Sequence, residues 1–194
     1  PRTQKTPMPT QPAGFQFVYS ISIDCKSIQC IRYESGLAVL AVSSVDGRVR
    51  VFNTNNDYSR LITHNPPANT LPCPPIVTHL QFCETLVNGN EEHLVLILGM
   101  DLGSVQPISL TNPTRLFKPI AARKSPVVDI HVVRHRGDHM QLWKRPWNAT
   151  ENDKYQASHQ IPKHLVVCTV NDVRTYKIPE FEMVMQYECP APIA

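Results

Sequence analysis

No apolar stretch in this chain approaches the roughly 18 to 20 residues that cross a bilayer as a helix. The longest, around Leu94 to Leu98, is about seven. Runs of like charge are missing as well. The 19 basic and 16 acidic residues are interspersed and leave a formal charge of +3, so there is no basic stripe to follow a phosphate backbone and nucleic acid is not expected as a partner. Helical periodicity is nearly absent: no window of eleven residues places apolar side chains at i, i+3, i+4 and i+7 without a proline or a β-branched run.

Cysteine chemistry is equally thin. None of Cys25, Cys30, Cys73, Cys83, Cys168 and Cys189 stands in a CxxC pair, and most lie in apolar runs where a free thiol serves as a small hydrophobe. Such usage fits a reducing cytosol. The signatures of common active sites, GxSxG, HExxH, the Walker loop and GxGxxG, do not occur. His131, His135 and His139 recur every fourth residue and would line one helix face as zinc ligands do. They follow a β pattern, however, and read as solvated loop histidines. The sequence therefore predicts no catalytic residue, no cofactor and no metal, and the chain is not expected to be an enzyme.

What the 194 residues do hold is a repeated design within a 42% hydrophobic composition, ample for a core. An apolar strand is followed by a second, then by a polar turn with Asp or Gly and a third strand. It occurs at Ser27 to Tyr33 with Leu37 to Phe52, at Ile76 to Phe82 with His93 to Val105, and at Pro126 to Val133 with His164 to Tyr176. Such a unit, repeated, is how the blades of a β-propeller read in sequence. The expected fold is all-β, a partial β-propeller of about three four-stranded antiparallel blades of divergent WD-repeat-like character.

The divisions follow from proline. Residues 1–14 hold four prolines and little to bury, and are expected to be a disordered Pro-rich leader. A first blade is expected over 15–62, with strands Ile28 to Tyr33, Ala38 to Ser43 and Arg48 to Asn53, and Asp46-Gly47 as a two-residue hairpin turn. Residues 63–75 form a Pro-rich linker, since five prolines between Asn65 and Pro75 block ladder hydrogen bonds. The second blade covers 76–122, with strands at Val77 to Phe82, Leu94 to Leu98, Ser104 to Leu110 and Leu116 to Ile120. The third covers 123–190, with strands at Val127 to Val133, Leu165 to Thr169, Val173 to Ile178 and Met183 to Glu188, and a long loop 134–163.

A loop of that length is unusual in a compact domain and draws attention as functional. It holds Trp143, Lys144, Arg145 and Trp147, an aromatic and cationic group of the type found at interface hot spots; the alternative is that the rings fold back onto the blade. Arg115, Lys118, Arg123 and Lys124 form a basic cluster that suits either an acidic partner or lipid headgroup, or a solvated blade edge.

The stretch Ile76-Val-Thr-His-Leu-Gln-Phe-Cys-Glu-Thr-Leu-Val87, followed by Leu94 to Val105, resembles the lethal giant larvae and tomosyn (syntaxin-binding) family. There, a strand ending F-x-(E/D)-(T/S)-(F/L) precedes G-T-x-x-G-S-V. Pro126 to Ile130 and His164 to Pro179 look like the next unit. The similarity covers roughly residues 76 to 180. Met100 stands where the family has Thr, Phe52-Asn53 stands at the place of a WD dipeptide, and no basic, serine-rich insertion precedes Ile76.

The resemblance implies about three blades of the second of two propellers and a non-catalytic role. It implies binding of syntaxin-type SNAREs, regulation of exocytosis and cell polarity, and a cytoplasmic location, including the plasma-membrane cortex. Cortical cytoskeleton or polarity proteins are further implied partners, with membrane association through them. Two other readings of the residues stay open. One is a WD-repeat adaptor of the coat or ubiquitin-ligase type. The other is a propeller hydrolase, for which the inner-strand residues Gln29, Thr78 and Asp129 supply one carboxylate.

Overall fold

The computed structural model describes residues 20–25, 27–55, 59–65, 75–87, 91–112, 117–120, 125–133 and 164–190. Among these, every regular element is a strand. β1 (Ile28–Glu34), β2 (Val39–Ser44), β3 (Val49–Asn53) and β4 (Ser59–His64) form one sheet in chain order. β5 (Val77–Val87), β6 (Glu91–Met100) and β7 (Val105–Ser109) form the second. β8 (Val127–Val133), β9 (His164–Thr169), β10 (Asp172–Lys177) and β11 (Glu182–Glu188) form the third. All pairings are antiparallel between consecutive strands, as short connections require.

The repetition seen in the sequence is also a repetition of hydrogen bonds. The first strand of each sheet carries a register shift near its start, at Ile28/Cys30, Val77/His79 and Val127/Asp129. The turn after the second strand sends an N–H back to the residue preceding the first strand: Val45 to Ser27 at 3.1 Å, Asp101 to Ile76 at 3.0 Å and Val170 to Pro126 at 3.2 Å. One scheme thus closes all three units, and it sets corresponding positions. Cys30 opposite Ser43, His79 opposite Gly99 and Asp129 opposite Cys168 are the same pair in three copies.

Four local details differ from the sequence reading. The Asp46-Gly47 hairpin has three loop residues, with Gly47 N–H bonded to the Ser44 carbonyl at 2.9 Å and Gly47 at φ 77°. The chain needs the left-handed region at the third loop position, so Asp46 does not share a two-residue turn. Gly103, at φ 78°, repeats this geometry. Ala38 lies at φ 50°, so the second strand begins at Val39. The ladder of β4 continues to His64, inside the stretch read as linker. The second sheet has three strands: among the described residues its expected fourth contributes only the isolated bridge between Val105 and Ile120, and the next position of β7 that would bond to it is Pro107, which has no N–H to extend the ladder. Replacing Gly47 by Ala places a Cβ against the following carbonyl and should cost about 1–2 kcal/mol, read from urea denaturation.

The middle sheet is apolar on both faces, which explains the unbroken run from Leu94 to Leu98. Leu80, Phe82, Leu94, Leu96 and Leu98 meet Val39, Ala41, Val49 and Val51 of the first sheet. On the other side Cys83, Val95, Ile97 and Val105 meet Val127, Ile130, Leu165 and Val167 of the third. β5 lies beside β1 on one side and beside β8 on the other, so the first strands of the three sheets form one row.

Candidate protein interface

Where β9 turns into β10, Asp172 and Arg174 stand two residues apart on one strand face, and the pair is buried. Arg174 Nη2 and Nε lie 2.8 and 2.9 Å from Asp172 Oδ2. Gln186 of β11 donates to the same oxygen at 3.1 Å, and Thr169 Oγ1 donates to Oδ1 at 2.6 Å. Burial works against the guanidinium's charge, but hydrogen bonds to Asp172 and Tyr176 outweigh it and hold the group above its ordinary pKa. The network ties β9, β10 and β11 together at the turn.

A related device occupies the first sheet. Ser44 donates to Asp46, and this bond holds the Asp46 carboxyl below its ordinary range. Buried Arg50, at the position of Arg174, donates to Ser44 Oγ at 3.3 Å and to the Asp24 carbonyl at 2.6 Å. In the second sheet the corresponding residue is Gln106, which donates to the Phe117 carbonyl at 3.3 Å. These buried polar groups serve the turns and are not aimed at a ligand.

The row of first strands carries the inner polar residues. Gln29 is exposed. Thr78 Oγ1 lies 2.8 Å from the Val127 carbonyl and 3.2 Å from that of Gly99, joining the second and third sheets. Asp129 Oδ2 lies 2.8 Å from His131 Nε2, within hydrogen-bond distance. Across the strand from Asp129, burial, and then the charges of Asp129 and Cys189, push the Cys168 thiol above its ordinary pKa. A thiol so placed stays protonated at neutral pH, the opposite of what nucleophilic chemistry asks. Among the described residues no three His, Cys, Asp or Glu side chains are grouped to hold a metal ion.

The outer sides of the first and third sheets mix apolar and polar residues, and on the first Val42, Arg50 and Phe52 are only 2%, 4% and 3% exposed. On the first sheet, Ile31 and Tyr33 are 57% and 53% exposed, at the positions where the second sheet buries Leu80 and Phe82 to 5% and 1%. On the third sheet, the register places Val166, Cys168, Val173 and Thr175 on one face, continued on β11 by Met185 and Tyr187. Their counterparts on the first sheet, Ala41, Ser43, Val49 and Val51, are at most 1% exposed.

Lys118 is exposed, beside Phe117, whose ring packs edge-on against Phe181 at 5.5 Å. Arg115, Arg123 and Lys124, and the group Trp143, Lys144, Arg145 and Trp147, lie outside the described residues. So do the leader 1–14 and the loop 134–163, apart from their flanking strands.

The arrangement of sheets can be compared with solved structures. A chain of the mitotic checkpoint complex is 11% identical over 85% of this chain, with a TM-score of 0.52. U3-55K is 8% identical over 90%, with a TM-score of 0.53. The fold is that of a β-propeller segment. The computationally designed Ika8 protein is also similar, at 10% identity over 86% of the chain and a TM-score of 0.52. The segment spans 38% to 43% of the length of these three structures. No family model matches the sequence, and neither does any curated protein.

Sequence reasoning missed the Asp172, Arg174 and Gln186 network. Its signal was available: two opposite charges spaced i, i+2 share a strand face, and in an otherwise apolar strand they pair or remain costly. It also missed that the residues Ser43, Gly99 and Cys168, so different chemically, occupy one position.

Proposed function

We propose that this propeller segment is a non-catalytic protein-interaction scaffold, acting by occupying a partner with no bond made or broken. The observation that carries the reading is the row of β1, β5 and β8, which fans three sheets outward and leaves their loops and outer edges for contact. One of the solved neighbours belongs to a structure named for a complex, the setting in which a scaffold works.

The finer reading rests on the resemblance carried by residues 76 to 180. The partner is a syntaxin-type SNARE, the role is regulation of exocytosis and polarity, and the location is the cytoplasm at the plasma-membrane cortex. The motif residues on which the resemblance rests have structural work here: Gly99 admits the third sheet and Gly103 sets the turn into β7. The test is a pull-down of the complete protein with the cytoplasmic part of a syntaxin. Retention above a matrix control is expected, reduced at least about 30-fold in affinity by joint replacement of Trp143 and Trp147 with Ala, as for an aromatic hot spot. Absence of retention would overturn the syntaxin assignment.

A further inference from the structure

Beyond its role as a scaffold, we infer that the end of the β5–β6 hairpin is a docking arm for an extended, Lys- or Arg-bearing segment of a partner protein. The three sheets share one register, so their first ladders can be compared pair by pair. In the first and third sheets those ladders stop at Glu34–Val39 and Val133–His164. The equivalent pair of the middle sheet is Cys83–Val95, and its ladder runs four pairs further, through Glu84–Leu94, Thr85–His93 and Leu86–Glu92 to Val87–Glu91. At a rise of about 3.4 Å per residue, those pairs carry the hairpin roughly 14 Å past the ladders on either side. β7 does not follow it: its last partner in the ladder is Val95, after which Leu110 and Thr111 close off Leu94. The arm belongs to the middle sheet, so its reach is measured against neighbours present on both sides.

Backbone and charge together define what the arm takes. Leu94 turns its N–H and C=O toward β7, so by alternation Glu92 on β6 and Leu86 on β5 turn theirs to the arm's two edges, where the described residues supply no further strand. A two-stranded ribbon is marginal in water by itself and gains from a third strand. No Lys or Arg occurs between Arg60 and Arg115, although the chain has 19 basic residues, and three of the four acidic residues in that interval, Glu84, Glu91 and Glu92, lie in the arm. A chain of positive net charge thus keeps the end of one hairpin acidic, which suits a basic strand laid beside it and repels an acidic one. On the third-sheet side of the arm, Thr85 is 1% exposed and its Oγ1 has no hydrogen-bond partner. Thr85 stands opposite His93 in register, at the root of the arm, and a cationic N–H reaching that root supplies the donor the buried oxygen lacks.

Binding of fluorescein-labelled peptides to the full chain tests this. The probe is the extended peptide Lys-Val-Lys-Val-Lys-Val-Lys, and its control is the same peptide with Glu for Lys. The lysine peptide should bind at least about tenfold more tightly than the glutamate peptide, and added salt should weaken it. Joint replacement of Glu91→Lys and Glu92→Lys should lower its affinity at least about tenfold, and Thr85→Val about threefold or more. Glu182→Lys, on β11 away from the arm, should bind the peptide as the unaltered chain does. Circular dichroism confirms that each variant keeps its strands, and Glu91→Gln with Glu92→Gln takes the place of the double reversal if that variant does not fold. The inference is overturned if the lysine peptide is not bound or if the glutamate peptide binds as well. It is overturned equally if reversal in the arm acts no differently from reversal at Glu182, or if Thr85→Val leaves the affinity unchanged.

Discussion

Asp172→Ala should lower the stability of the chain by about 3–5 kcal/mol, because it leaves the Arg174 guanidinium buried without its counter-charge. Both side chains are almost fully covered, at 4% and 3% exposure, so water cannot replace the lost carboxylate. The same substitution removes the acceptor that Gln186 and Thr169 share, loosening β11 and the β9–β10 turn together. A buried ion pair is seldom worth more than a well-packed apolar pair, since each charge had to be desolvated. The joint replacement Asp172→Leu with Arg174→Met should therefore recover most of the loss. Urea denaturation of the two variants checks this: a loss under about 1 kcal/mol for the single substitution would mean that solvent reaches the pair.

Gly99→Ala should cost about 1–3 kcal/mol through overpacking. A Cβ at this position would lie 2.7 Å from Val127 Cγ1, 2.8 Å from Ile130 Cδ1 and 3.1 Å from Val127 Cβ. The end of Ile130 can swing aside, but Val127 is β-branched, 1% exposed and held in one rotamer. The third sheet must therefore move away from the second. Combining the change with Val127→Ala should make alanine at position 99 far less costly than in the parent chain. A thermodynamic cycle over the four proteins measures that coupling; additive losses would show that the sheets do not meet here.

Much of the architecture could be read from residues alone, and the reasons are specific. β6 declared itself because a strand packed on both faces must be apolar at every position. β9, β10 and β11 fell within a residue or two of their expected places because alternation and turn residues agree there. The fourth strand of the second sheet was misread because Leu116 to Ile120 is apolar enough for a strand, while Pro107 on the strand it would join lacks the N–H a ladder needs. The outer side of the third sheet was harder to see. Val166, Val173 and Met185 are ordinary strand residues, and nothing in their identity tells a covered face from an open one. Only their alignment with Ala41, Val49 and Ile62 through the hydrogen-bond register does so. The network at Asp172 escaped for a similar reason: its fourth member, Gln186, lies on a strand paired late in the chain.

The two cores share the middle sheet and little else, for among the described residues none of the third sheet enters the first core and none of the first sheet enters the second. Each layer answers only to the layers beside it. Duplication or deletion of one whole unit, cut between its tethering amide and the next, would leave the packing of any two remaining neighbours unchanged.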